Sequence, residues 1–230
     1  TELADDFSAN GYHAEASIPG FYKGTKDAVF LGKFFDSSRE EAVDAGLLEE
    51  VLTLAKSKAA EGGMDYQLPD GLELISCTPD HVEEMSRIYR EVFPSYPFPI
   101  QNPTYIRETM ESHIEYFGIV KDGNLIALSS SEMDVSSGNV EMTDFATLPA
   151  FRGYSLARCL LRAMERAMTQ RELLTAYTIA RAASPGMNIT FSKQGYRFGG
   201  RLINNTQISG SIESMNVWYK RLSDSSKSGT

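Results

Sequence analysis

The chain has 230 residues, 42% of them hydrophobic and 23% charged, which is the composition of an ordinary globular protein. Its net charge of −9 argues against a nucleic-acid partner, because binding to phosphates needs a basic surface. No apolar run approaches the roughly 18 residues of a membrane span, so we expect no membrane partner. Two cysteines and three histidines without metal-ligand spacing predict no metal site and favour a cytoplasmic protein. A homodimer is compatible with these features.

The first 60 residues predict a small unit of helices and strands. Its elements are a helix at Thr1–Ala9, strands at His13–Ile18 and Asp27–Phe35, and a helix at Arg39–Lys58. Two short strands and two helices make a thin core, so we interpret residues 1–60 as a partial N-terminal α/β accessory domain that depends on its neighbour. Glu61–Gly71 is the predicted linker, and the polar segment 223–230 is a predicted disordered tail.

Residues 72–222 predict a single α/β domain. The predicted strands are Leu72–Ser76, Tyr116–Lys121, Leu125–Asp134, Asn139–Thr147, Leu173–Ala180, Tyr196–Ile203 and Ser214–Lys220. The predicted helices are Thr78–Val92, Tyr105–Ser112, Gly153–Met168 and Pro185–Gln194. In the third helix, five apolar residues recur at helical spacing and predict a core-facing stripe: Leu156, Leu160, Leu161, Met164 and Met168.

The segment Asp144–Ala157 joins a strand to a helix through a small-residue turn. The strand ends near Thr147, Pro149 marks a bend, and the turn opens the next helix. Backbone N–H groups at the start of a helix have no partner within the helix, and together with the helix dipole they favour an anion. Gly153 leaves room for a phosphate to approach, and Ser155 is small for the same reason. The pattern therefore predicts a site for a phosphate-bearing ligand.

This segment resembles the acetyl-CoA motif of the GNAT superfamily, usually written Q/R-x-x-G-x-G/A. Gly153 takes the central glycine position, whereas Ala150 and Ser155 replace the flanking residues. The order of predicted elements and the late Val217–Lys220 strand also match that superfamily. The resemblance implies a GNAT acyltransferase fold with a mixed, mostly antiparallel central sheet flanked by helices, and acetyl-CoA as co-substrate. The cofactor-binding residues it implies are Phe145, Ala146, Thr147, Arg152, Gly153, Tyr154, Ser155, Leu156, Ala157, Ser184, Asn188 and Phe191.

Acetyl transfer to an amine needs a base, because an ammonium must lose a proton before it can attack. Glu141 lies where many GNAT members carry a carboxylate, and it is our first candidate, with Asp144 second. Strand alternation predicts that these two side chains lie on opposite faces. Glu132 and Asp134 are weaker candidates, either for the same role or for binding a second ammonium.

The proton donor for the CoA thiolate stays open. Phe191 stands where many members have a tyrosine, in a segment that resembles their second cofactor motif, Asn188–Tyr196. Phenylalanine cannot donate a proton, so Tyr196, Ser192 or water takes this role, or the thiolate leaves unassisted.

The chain also resembles a narrower family, the β-lysine N-acetyltransferases of bacteria and methanogenic archaea. The resemblance is carried by four stretches: Gly11–Phe35, Ile88–Ile106, Met142–Ala157 and Ala180–Asn205. It implies transfer of an acetyl group to the ε-amino group of β-lysine, giving the compatible solute Nε-acetyl-β-lysine, and hence a role in osmoadaptation. Family members usually extend further at the N-terminus, so we expect the chain to lack the first part of its accessory domain.

The aromatic loop Phe93–Pro103 sits where GNAT members wall the acceptor pocket. The substrate-binding residues we predict are Phe93, Tyr96, Phe98, Glu132 and Tyr22. Arg107, Arg181 and Arg197 are unranked candidates for the substrate carboxylate. We interpret the arginine stripe Arg158, Arg162 and Arg166 as a solvated helix face rather than a contact to the CoA 3′-phosphate.

Two alternatives remain at this stage. The chain could acetylate another small amine, such as lysine or a polyamine, or it could bind acyl-CoA as a regulator without turnover. The phenylalanine at position 191 and the alanine at position 150 keep the second alternative open.

Overall fold

A computed structural model describes residues 2–63 and 67–222 of the chain. The helices are α1 (Glu2–Ala9), α2 (Ala45–Ser57), α3 (Val82–Val92), α4 (Pro103–Met110), α5 (Leu156–Gln170) and α6 (Pro185–Lys193). The strands are β1 (His13–Tyr22), β2 (Lys26–Gly32), β3 (Leu72–Ser76), β4 (Ile114–Lys121), β5 (Asn124–Asp134), β6 (Asn139–Thr147), β7 (Thr175–Arg181), β8 (Arg197–Ile208) and β9 (Ser211–Arg221). The predicted tail lies outside the described residues, and so does part of the predicted linker.

All nine strands of the described chain form one sheet, in the order β2-β1-β8-β9-β7-β6-β5-β4-β3. Every neighbouring pair is antiparallel except β6 and β7, which run parallel. This parallel pair is short, because it joins only Asn139–Glu141 to Thr175–Tyr177. The mixed, mostly antiparallel sheet predicted from the sequence is confirmed. The two parallel strands, β6 and β7, separate beyond Glu141.

Helices cover both faces of the sheet. The predicted stripe of α5 is buried against one face in a cluster that also holds Phe117, Val140 and Trp218. On the other face, α3 buries Val82, Met85, Ile88 and Tyr89 against β5 and β6. Burial of these side chains removes a large apolar area from water and fixes the positions of the strands between them.

Several element boundaries differ from the sequence prediction; β8, for example, runs to Ile208 rather than Ile203, and β2 ends at Gly32 rather than Phe35. The helix predicted at Arg39–Lys58 begins only at Ala45, after a 3₁₀ turn at Ser37–Arg39. β1 was predicted to end at Ile18 but continues through Pro19 and Gly20 to Tyr22. Its pairing with β2 is irregular there, which accommodates Pro19, a residue that cannot donate a ladder hydrogen bond. α5 begins at Leu156 rather than Gly153, since Ser155 has a left-handed backbone with a φ of +52°.

The strands of the first 60 residues extend the main sheet. Ala16 of β1 pairs with Gly200 of β8, where a Cβ on the glycine would overlap the backbone of Glu15. The Glu15 carboxylate also accepts a hydrogen bond from the backbone N–H of Ile203 at 2.8 Å. α2 packs against α6, and the Arg201 side chain donates to the Leu48 carbonyl at 3.1 Å. These contacts join the first 60 residues to the sheet, and the interpretation of this segment as a partial accessory domain stays a prediction.

Candidate active site

Two adjoining cavities open where β6 and β7 separate. The first has a volume of about 390 Å³ and is walled by β6, β7, the 93–98 loop and the β8–β9 hairpin. The second, of about 570 Å³, lies between the start of α5 and the start of α6. Five residues line both cavities: Phe93, Phe145, Arg181, Ser184 and Met187. The cavities therefore form one continuous cleft with two ends.

A β-bulge at Asp144 shapes the first cavity. The pairing of β6 with β5 slips between Ser130 and Leu128, and Asp144 takes a left-handed backbone with a φ of +54°. A bulge inserts an extra residue into one strand and reverses the alternation of side chains after it. Our prediction that Glu141 and Asp144 lie on opposite faces is therefore wrong, since both line the first cavity.

Two short hydrogen bonds from hydroxyl groups hold Asp144, in addition to a longer one of 3.5 Å from Thr143. Tyr96 donates to its Oδ1 at 2.5 Å, and Ser130 donates to its Oδ2 at 2.6 Å. Burial raises the pKa of Asp144, and these hydrogen bonds oppose that rise because they favour the charged form. The contact from Tyr96 also fixes the aromatic loop over the bulge.

Glu141 lies in the same cavity in a different environment. Burial, with the nearby carboxylates of Glu132 and Asp144, raises the pKa of Glu141 to about 8. Hydrogen bonds from the Ile179 backbone and the Tyr177 hydroxyl act in the opposite direction. A carboxyl group with a pKa close to neutral can both accept and release a proton under ordinary conditions.

The second cavity is built around the N-terminus of α5. Gly153 has a φ of +87°, a conformation that side chains disfavour, and the position of its missing Cβ is open space. The first N–H groups of the 15-residue helix point out of its N-terminal end, where the helix dipole is positive. Four basic side chains line the same cavity: Arg152, Arg158, Arg181 and Lys193. This end of the cleft suits a phosphate-bearing ligand.

Most of the predicted site residues lie at these cavities. The first cavity is lined by Phe93, Tyr96, Phe98, Glu141, Asp144, Phe145, Ser184 and Phe191. The second is lined by Phe93, Phe145, Thr147, Arg152, Gly153, Ser155, Leu156, Ala157 and Ser184. Arg158 also lines the second cavity and is buried, so the solvated-face interpretation of the arginine stripe does not apply to it.

Five predicted residues line neither cavity. Ala146 is buried in the core beneath α3, and the Tyr154 side chain is exposed. The Asn188 amide is buried and binds both Trp218 and Asn216 at 2.8 Å. Glu132 lines a third cavity, where its carboxylate lies 3.4 Å from the His113 ring. Tyr22 is 46% exposed.

Other residues were not singled out from the sequence. Thr178, Asn205 and Thr206 line the first cavity but carry no local signal, since they come from strands distant in the chain. Phe21, which the sequence suggested together with Tyr22, also lines neither cavity, and its ring packs 5.3 Å from that of Tyr177.

The structure also bears on the open proton donor. Tyr196 and Ser192 are both buried, and neither lines either cavity. Phe191 fills the expected tyrosine position and packs edge-on against Phe145, with ring centroids 5.7 Å apart. The only tyrosine among the described residues that lines the first cavity is Tyr96, whose hydroxyl is bound to Asp144.

Within residues 2–63 and 67–222, no group of three or more histidine, cysteine or acidic side chains is arranged to hold a metal ion. No helix in this part of the chain is both long and apolar enough to cross a membrane.

The cleft between separated parallel strands, with a helix N-terminus at one end, can be compared with known proteins. The family model described as "Acetyltransferase (GNAT) family" matches residues 80–196. The chain belongs to the GNAT acetyltransferase family. The matched region runs from α3 to the end of α6 and contains both carboxylates and the glycine turn. The protein is therefore an N-acetyltransferase with the expected fold.

Two relatives of this GNAT protein match nearly its whole length. It is 40% identical to "Beta-lysine N(6)-acetyltransferase" of Methanococcus maripaludis, over 93% of this chain and 77% of that protein. It is 32% identical to the protein of the same name from Methanosarcina mazei, over 96% of this chain and 88% of that protein. Among solved structures, the ribosomal-protein-S18-alanine N-acetyltransferase of Escherichia coli superposes with a TM-score of 0.58. The superposition covers 69% of this chain and 99% of the Escherichia coli protein at 12% identity, so it supports the fold alone.

Proposed function

We propose that this protein transfers an acetyl group from acetyl-CoA to the ε-amino group of β-lysine. The observation that supports β-lysine as the substrate is the 40% identity to a β-lysine N(6)-acetyltransferase over 93% of the chain. The product would be Nε-acetyl-β-lysine, which we propose to serve as a compatible solute in osmoadaptation, in a cytoplasmic setting.

The second cavity fits acetyl-CoA. Its basic side chains, its glycine turn and the N–H groups at the start of α5 match the charge and shape of a pyrophosphate. When bound, acetyl-CoA supplies the thioester that is to be cleaved. The residues shared by both cavities, Phe145 and Ser184 among them, would flank the pantetheine where it enters the first cavity.

Glu141 is the proposed base. A substrate ammonium that enters the first cavity meets the carboxyl groups of Glu141 and Asp144. The pKa of about 8 lets Glu141 take the proton of that ammonium, directly or through water, and release it to solvent afterwards. Asp144 is the second candidate, but its two hydroxyl donors engage both of its oxygens.

The aromatic loop provides the apolar part of the acceptor site. Phe93, Tyr96 and Phe98 line the first cavity beside the carboxylates. Their rings can pack against the methylene chain of a lysine-like amine and stabilise its cationic end. Because no tyrosine occupies the usual donor position, we propose that water protonates the departing thiolate.

The test is to offer β-lysine, lysine, spermidine and glutamate together with acetyl-CoA and to identify products by mass. We expect acetyl-β-lysine to dominate and the Glu141→Gln variant to lose about 10²- to 10⁴-fold in kcat/KM. Glu73→Gln is the matched control, since Glu73 is an exposed strand carboxylate on the far edge strand β3.

The outcomes separate the alternatives. A preference for lysine or spermidine would overturn the substrate and leave the enzyme class intact. Equal thiol release by wild type and Glu141→Gln would overturn the base. No thiol release with any amine, together with tight acetyl-CoA binding, would favour the regulator instead.

A further inference from the structure

Arg181 occupies a distinctive place in the cleft. It is the last residue of β7 and lines both cavities. Among the described residues that line the first cavity, it is the only one with a cationic side chain. The other charged groups there, Glu141 and Asp144, are acidic and lie on the neighbouring strand β6. The first cavity thus has acidic side chains on one wall and one cationic side chain on another.

A partly buried carboxylate, that of Glu213, fixes the direction of this cation. Arg181 donates from Nε to Glu213 Oε2 at 2.8 Å and from Nη2 to Glu213 Oε1 at 2.5 Å. The Glu213 side chain is only 13% exposed, whereas that of Arg181 is 36% exposed. A guanidinium carries five N–H donors, and this bidentate pair uses one edge of it. The Nη1 group and the second hydrogen of Nη2 are not used by Glu213.

We propose that Arg181 binds the carboxylate of the amino-acid substrate and thereby selects amino acids over simple polyamines. This inference rests on the proposed function and assigns a residue to its substrate specificity. A guanidinium held in place by Glu213 loses little freedom when it accepts a second carboxylate, so the site is pre-organised. With the amine at Glu141 and the carboxylate at Arg181, an amino acid would lie across the first cavity in one orientation.

The two other arginines considered from the sequence do not compete for this role. Arg107 lies on α4 and Arg197 at the start of β8, and both are exposed and line neither cavity. They also provide matched controls, because the same substitution can be made at a site outside the cleft.

The first experiment uses the wild-type enzyme with β-lysine and its methyl ester, which has nearly the same size but no carboxylate. We expect kcat/KM for the free acid to exceed that for the ester by about 10- to 100-fold, the range expected for hydrogen bonds to a charged group. Equal use of both substrates would overturn the proposal without the need for any variant.

The second experiment compares Arg181→Gln with Arg107→Gln and Arg197→Gln. We expect Arg181→Gln to abolish the preference for the free acid, so that the ratio of kcat/KM for the acid to kcat/KM for the ester falls to about one. The two control variants should keep the full preference. Arg181→Lys should recover part of it, since it keeps the charge but not the fork of donors.

Three results would overturn the assignment. A loss of the same size for acid and ester would make Arg181 a structural residue. A rise in KM for acetyl-CoA alone would place it in the cofactor site. If Arg181→Gln keeps the preference for the free acid, Arg181 does not bind the substrate carboxylate. Failure of the proposed function would give a different result from these three, because the wild-type enzyme itself would then not acetylate β-lysine.

Discussion

Glu141 and Asp144 are carboxyl side chains three residues apart on β6, and the groups that surround them differ. Both carboxyl groups line the first cavity, and burial raises both pKa values. Asp144 accepts hydrogen bonds from Tyr96 and Ser130, so it anchors the aromatic loop. Glu141 instead faces another carboxylate across the β5–β6 ladder, where Glu132 is its register partner. Like charges placed opposite each other disfavour ionisation, and the raised pKa of Glu141 supports its proposed role as the base.

A pH profile tests this difference. As a base, Glu141 must be ionised, so kcat/KM for the amine should rise with pH through about 8. The Tyr177 hydroxyl lowers the pKa of Glu141 by a hydrogen bond, so Tyr177→Phe should raise the midpoint by roughly 0.5 to 1 pH unit. The measurement is kcat/KM between pH 6 and 10, varied in steps of about half a unit.

Tyr219→Phe is the control for this profile, because Tyr219 lies directly opposite Tyr177 on β9. It removes the same hydroxyl type from the adjacent strand and should leave the midpoint unchanged. A midpoint that stays constant or falls in Tyr177→Phe would contradict the assignment of Glu141.

At the scale of elements, the turn before α5 provides a second test. Gly153→Ala should destabilise the protein by roughly 1–2 kcal/mol, because its φ of +87° disfavours any side chain. It should also raise KM for acetyl-CoA by about tenfold, equivalent to ~1.4 kcal/mol, and leave KM for the amine unchanged. Urea unfolding and steady-state kinetics measure the two effects separately.

Gly123→Ala is matched to this variant. Gly123 lies in the β4–β5 turn with a φ of +77° and open space around its missing Cβ. It should lose similar stability and keep the wild-type KM for acetyl-CoA. If both variants raise this KM equally, backbone strain rather than the phosphate site explains the effect.

The elements themselves were largely predictable, and the bulge was not. Apolar spacing located α5, and turn residues located the β4–β5 hairpin, because both signals are local in sequence. The bulge at Asp144 depends on how β6 pairs with Ser130 of β5, and strand alternation carries no information about such a slip. The Arg181–Glu213 pair joins residues 32 positions apart, so no local pattern could single it out from Arg107 or Arg197.

At the scale of the whole molecule, the junction between β1 and β8 tests how the first 60 residues are held. Gly200→Ala should push β1 away, since the new Cβ would overlap the backbone of Glu15. We expect amide hydrogen exchange in β1 and β2 to accelerate by more than about tenfold, while the amides of α5 stay protected.

Gly210→Ala is the control, because Gly210 has a φ of +88° in open space at the β8–β9 turn. It carries similar strain without the overlap and should not loosen β1. Uniform acceleration of exchange in Gly200→Ala, with α5 included, would instead show that the sheet unfolds as one cooperative unit.

The strand order has a consequence for biosynthesis. Among the strands of the described chain, β1 and β2 come first, but their neighbour in the sheet is β8, which joins the other strands through β9. A nascent chain therefore holds an early hairpin with an unpaired edge until β8 has left the ribosome. The parts of the first cavity that β8 and β9 supply, Asn205 and Met215 among them, are missing until these strands have been made. A ribosome-bound chain that stops before β9 should need a chaperone and bind no amine.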